Sequence, residues 1–213
     1  MPRTATMAIT ALTTLAWFIA VVSGMNGRAA LQLGFVPASF ILPVMPYPAA
    51  PAVLTPLTAT LVHASLLHLA FNMLIFVWCG QAVERVLGRG SLILLYVIGA
   101  YAAAAAQFGY TASLPHNNVA WLTPMIGASG AVSAIMGAFS LSFGRAKQVT
   151  SSARVNRWIN VAWLFAAWVV LQAMMGWAAG GQGYLLATPA HIGGFLAGLL
   201  LQRPLLLWRY RKA

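Results

Sequence analysis

The sequence predicts an all-α membrane protein, a single bundle of six transmembrane helices with a long membrane-associated first loop. Three observations carry that prediction. Of 213 residues, 61% are hydrophobic and only 6% charged, outside the range of soluble globular domains. Apolar stretches near the ~20 residues that cross a hydrocarbon core recur from end to end. The basic residues gather at the ends of those stretches rather than along a polar face.

Taken in order, the apolar stretches cover residues 7–25, 66–83, 92–108, 127–143, 158–177 and 189–207. The first follows Arg3 and ends near Val22, Ser23 and Gly24, as a cleaved leader would. Because the rest of the chain is itself polytopic, an uncleaved first span serves targeting equally well and is counted here. The fourth stretch is short and opens with small residues. Residues 26–64 hold Pro37, Pro43, Pro46, Pro48, Pro51 and Pro56 among apolar neighbours, which forbids a regular span and suits a segment lying in the interface. The fifth loop, 175–188, contains Gly176, Gly180, Gly181 and Gly183 and is expected to be mobile. No internal repeat is visible, and residues 1–213 read as one domain with a core over 61–200.

Alternating sides place Arg3, Arg85, Arg89, Arg145, Lys147, Arg154, Arg157, Arg203, Arg209, Arg211 and Lys212 together, with Arg28 alone opposite. Under the positive-inside rule both termini are then cytoplasmic and the first, third and fifth loops face outward. The net charge of +11 is thereby explained by topology, so no nucleic-acid partner is expected. Trp208 and Tyr210 suit the inner aromatic belt. The single cysteine, Cys79, excludes an internal disulfide and a multi-cysteine metal site.

This topology brings His63, His68 and Asn72 to the outer start of the second span, Ser129 to the outer start of the fourth and His191 to that of the sixth. Ionisable groups at one depth of a bilayer are functional candidates by default. His68 and Asn72, four apart, share a helix face, whereas His63 and His68, five apart, would point about 140° apart on a regular helix. A two-histidine metal site is therefore not expected, and no His-Glu-x-x-His element occurs. An aspartyl site is excluded because the chain has no Asp and one acid, Glu84. A nucleophile with a base remains, and Ser129 stands between glycines in Gly127-Ala128-Ser129-Gly130. Taken alone, that tetrapeptide and Gly194-x-x-x-Gly198 are small-residue surfaces for helix packing.

The segments from His63 to Asn72, Glu84-Arg85, Gly127 to Gly130, and Ala190 to Gly198 (His191-Ile192-Gly193-Gly194 within it) together resemble the rhomboid family of intramembrane serine proteases, in order and spacing. The resemblance implies an endopeptidase that cuts transmembrane substrates within the lipid bilayer, in a bacterial inner membrane, with no cofactor and no metal. It implies Ser129 as nucleophile, His191 as base, and His68, Asn72 and the Ser129 N–H as oxyanion donors. It implies a structural rather than catalytic His63. Glu84, a membrane thickness from Ser129, is expected to stabilise a helix end with Arg85. His191, lacking a carboxylate partner, is expected to be held by packing of Gly194 and Gly198 against Gly130, Ala134 and Gly137. His116 is expected to be a solvated loop residue.

Two departures stand out. Many bacterial rhomboids carry an aromatic residue four positions after the nucleophile, where this chain has Ser133, and the Trp-Arg pair common in the family's first loop is missing. The alternative reading is a non-catalytic rhomboid-like protein that binds membrane clients; such proteins usually lack the serine or the histidine.

Overall fold

The computed structural model describes residues 4–42, 45, 47–143, 148–178 and 187–211. Helix α1 (Ala5–Val22) begins at Thr4, whose hydroxyl accepts from the Met7 N–H at 3.2 Å, the usual N-cap arrangement. After it come α2 (Asn26–Leu33) and the single turn α3 (Thr55–Thr58). Ser65 caps α4 (Leu66–Leu87) by accepting from the His68 N–H. Gly88, at φ +87°, turns the chain directly into α5 (Arg89–Ala112), a backbone conformation that a side chain would oppose. The bundle is completed by α6 (Ser129–Phe143), α7 (Ala153–Ala178) and α8 (Thr188–Arg209), the last opening on Pro189, whose missing N–H costs nothing in a first turn.

The six expected spans all fall on helices, and no strand forms among the described residues. Five of these helices are long and apolar enough to cross a membrane, and α6, at 15 residues, is shorter. At 1.5 Å per residue α6 is about 22 Å long, less than the ~30 Å hydrocarbon core, so at least one of its ends lies below the lipid surface. It is also the central helix. Every residue from Ser129 to Ala138 is buried, and α4, α5, α7 and α8 all pack on it. Helix α1 sits outside, against α4, exposing Leu12, Leu15 and Phe18 to lipid.

Packing in lipid relies on close van der Waals fit, because apolar contact is no better in the bundle than in the bilayer. Here that fit comes from small residues. A Cβ at Gly194 would strike the Gly130 carbonyl, one at Gly198 the Ala134 carbonyl, and one at Gly137 the Phe195 carbonyl. On the other flank of α8, a Cβ at Gly193 would lie 2.5 Å from the Ala106 Cβ on α5. The α5, α6 and α8 backbones are thus locked together around the two helix starts that carry Ser129 and His191.

The first loop is irregular, as its prolines require, but it is tied down. Besides α2 and α3 it holds 3₁₀ turns at Pro37–Phe40, Ala52–Leu54 and Ala59–Leu61. Phe35 and Met125 exchange backbone hydrogen bonds of 2.9 and 2.8 Å, the Thr58 hydroxyl donates to the Leu33 carbonyl at 2.6 Å, and the Tyr101 hydroxyl of α5 donates to the Val53 carbonyl at 2.8 Å. Helix α7 continues to Ala178, so Gly176 lies in the helix rather than in the loop expected from 175. One glycine in a helix interior costs only about 1 kcal/mol, too little to end an apolar span. Gly180, Gly181 and Gly183 lie outside the described residues, as do Arg3, Arg145, Lys147 and Lys212.

Candidate active site

Three helix starts frame the candidate site. Ser129 is the first residue of α6 and His191 stands in the first turn of α8, both buried, at 8% and 5% exposure. Across the contact between those helices His191 Nε2 lies 2.9 Å from Ser129 Oγ. When Nε2 carries its lone pair the serine hydroxyl donates to it, which is the geometry a general base needs. Among the described residues His191 Nδ1 has no hydrogen-bond partner, so no carboxylate orients the ring.

Ser129 opens a helix, and its N–H is therefore one of the first-turn donors without an intrahelical acceptor. The approach to it passes through Gly127 at φ +110°, where a Cβ would fall 2.7 Å from His68 Cε1 and 2.9 Å from Nε2. This puts the His68 ring against the strand of chain leading into the nucleophile candidate. Asn72, one turn further along α4 and 1% exposed, donates from Nδ2 to the His68 carbonyl at 2.9 Å, while its Oδ1 is buried without a partner. The Asn72 amide nitrogen is thus bonded within its own helix.

His63 is fully buried and lies before α4, not on it. The rotation of about 140° between His63 and His68 expected for a regular helix therefore does not apply: the extended Ser65 cap folds the two rings edge to face at 5.0 Å. His63 Nε2 accepts from the Ala128 N–H at 3.3 Å. Its carbonyl accepts from Trp17 Nε1 at 2.9 Å and Asn26 Nδ2 at 3.2 Å. It therefore joins α1, the first loop and the approach to Ser129. The Gly127 N–H adds a bond to the Ala59 carbonyl at 2.9 Å. No group of three or more His, Cys, Asp or Glu side chains that could hold a metal occurs among the described residues.

Glu84 is far from this layer. Its carboxylate accepts from the Ala5 N–H at 2.7 Å, the Thr6 N–H at 2.9 Å and the Thr6 hydroxyl at 2.6 Å, so it caps α1 and not the helix that carries it. The helix end that Glu84 meets is thus that of α1, not that of α4, which carries it. His116 is exposed, with its ring 5.4 Å from Trp121.

The Rhomboid domain family profile matches residues 51–208. The chain belongs to the rhomboid family. It is 31% identical over 140 residues to the rhomboid protease GlpG of Serratia proteamaculans (strain 568), a match that takes in 65% of this chain and 43% of that protein. The chain thus matches less than half the length of that relative. All four motifs that carry the resemblance lie inside the rhomboid segment, and the fold is the all-α membrane bundle that membership implies.

Three further side chains of this rhomboid reach the Ser129 and His191 pair: Ser133, which the sequence marks only as a departure from the family pattern, and Trp168 and Gln172, which it does not single out. Trp168 Nε1 on α7 donates to Ser133 Oγ at 2.7 Å, Ser133 Oγ donates to the Ser129 carbonyl at 2.7 Å, and Gln172 Nε2 lies 3.4 Å from His191 Nε2. A signal existed: Gln172 is a polar residue within an apolar span, and Trp168 lies four residues before it on the same face.

Proposed function

We propose that this rhomboid is an intramembrane serine endopeptidase in which Ser129 is the nucleophile and His191 the base. The observation that carries the reading is the 2.9 Å separation of His191 Nε2 from Ser129 Oγ in a buried layer of the bundle. As Ser129 Oγ adds to a substrate carbonyl carbon, its proton passes to His191 Nε2, and the carbonyl oxygen becomes an oxyanion. The Ser129 N–H, the His68 ring and a rotated Asn72 amide are the proposed donors to it. His191 then returns the proton to the departing amine, leaving an acyl-enzyme. Water, deprotonated by the same imidazole, releases the acid and restores the serine hydroxyl.

The substrates are transmembrane proteins that enter laterally from lipid, since the site lies among helix starts within the bundle. A transmembrane helix has all its peptide groups bonded internally, so it must unwind before a carbonyl meets Ser129. The excess of basic residues on one set of connections supports cytoplasmic termini and a site opening outward, in a bacterial inner membrane.

The test is cleavage of a panel of single-span substrates by purified protein in liposomes. Wild-type protein should cut, and Ser129→Ala and His191→Ala should lose cleavage by at least about a thousandfold, the scale on which a dyad member acts. A wild-type protein that binds such substrates without cutting them would favour client binding instead.

A further inference from the structure

We infer that Trp168, held by its bond to Ser133, is the residue that fixes the orientation of the His191 imidazole. This rests on the dyad reading above. An imidazole bonded only through Nε2 can still swing about its own side-chain torsions, and among the described residues Nδ1 is bonded to nothing. Its orientation must then come from the walls of its pocket.

Trp168 is one such wall. Its ring stands edge to face with His191, centroids 6.4 Å apart, and the residue is 3% exposed, on the inward side of a helix whose Trp163, Val170 and Met174 are over half exposed. The indole is itself fixed, because its N–H is spent on Ser133 Oγ at 2.7 Å, deep in the bundle. Ser133 is 0% exposed and its hydroxyl is bonded both ways: it accepts from Trp168 and donates to the Ser129 carbonyl one turn back. A continuous chain of bonds therefore runs from α7 through Ser133 to the nucleophile's own peptide unit, and the same indole bounds the base. Gln172, one turn along α7, reaches His191 Nε2 itself at 3.4 Å. Thus α7 meets both partners, at Ser129 through Ser133 and at His191 directly. Ser133 is what admits the indole, since a larger side chain at that fully packed point of α6 would occupy its place.

Trp168 touches neither substrate nor a reacting atom, so it is a positioning residue and its signature is kinetic. The experiment measures kcat, KM and the pH dependence of kcat/KM in liposomes, with a single-span substrate, alongside the rate at which a fluorophosphonate labels Ser129. Trp168→Leu should lower kcat and labelling together by more than about tenfold with KM within about threefold, and should displace the acidic limb of the pH profile. Trp168→Phe and Ser133→Ala should each give a smaller loss. Their double variant should be no worse than the poorer single one, because both break the same bond. Moving the ring to α6, by Trp168→Ala with Ser133→Tyr, should recover activity relative to Trp168→Ala alone.

Wild-type kcat and labelling in Trp168→Leu overturn the inference. So does a loss that follows the fall in melting temperature, with the pH profile of the remaining activity unmoved and no recovery in the ring transfer. Ser129→Ala is run in parallel. If that variant still cleaves, the dyad reading itself falls and this one with it, whereas an inactive Ser129→Ala beside an unaffected Trp168→Leu removes only the role of Trp168.

Discussion

The hydroxyl of Thr6, in the first turn of α1, donates to the Glu84 carboxylate of α4 at 2.6 Å, and the Ala5 and Thr6 N–H groups complete the set. A single acid in 213 residues thus satisfies first-turn donors of α1 at the end of that helix opposite the Trp17 bond to the His63 carbonyl. The fit is close as well, since a Cβ at Gly80 would come within 2.9 Å of Thr6 Cγ2.

Replacing Glu84 by Ala should therefore destabilise the protein by about 2 kcal/mol, the scale of hydrogen bonds to a charged acceptor. Thermal unfolding in detergent measures it. Glu84→Gln, which keeps one acceptor oxygen, should cost less, and neither change should alter kcat at a temperature where the variant stays folded.

At Gly127 the backbone and the space argue the same way. An alanine there must hold φ near +110° and place its Cβ into the His68 ring. The backbone strain alone is of order 1–3 kcal/mol. Gly127→Ala should lose fluorophosphonate labelling of Ser129 while Gly90→Ala, where a Cβ meets nothing within 4 Å, should label as wild type.

If His68 and Asn72 serve the oxyanion, each removal should lower kcat about a hundredfold, near 3 kcal/mol, with little change in KM. His68→Ala and Asn72→Ala, assayed in liposomes, decide it. Wild-type kcat in either variant would remove that residue from the oxyanion site.

The contact of α6 with α8 should tolerate no growth. Gly194→Ala would push against the Gly130 carbonyl and spread the two helices that bring Ser129 and His191 together, at about 1–3 kcal/mol. Activity should fall with it. Leu200→Ala, on the lipid face of the same helix at 75% exposure, should leave melting temperature and cleavage as they are.

Substrate helices should be cut best where they unwind most readily. Introducing leucines in place of glycine or proline near the cleaved end of a substrate should slow its hydrolysis, followed by gel quantification of the product, while binding to the Ser129→Ala variant persists.

Hydropathy and charge alone determined that this chain is a bundle of six apolar helices, because a bilayer allows few other ways to satisfy a backbone. Spacing along the chain also placed Ser129, His191, His68 and Asn72 at helix starts, since span boundaries follow from composition. Tertiary structure decided everything that depends on which faces meet. It turned His63 onto Ala128 and His68, because the helix starts only after Ser65. It gave Glu84 to α1 and set Trp168 against Ser133 and His191. Linear order cannot report such pairings: a polar atom in a packed bundle bonds whatever donor or acceptor the neighbouring helix presents, and that neighbour is chosen by the fit of backbones at glycine and alanine.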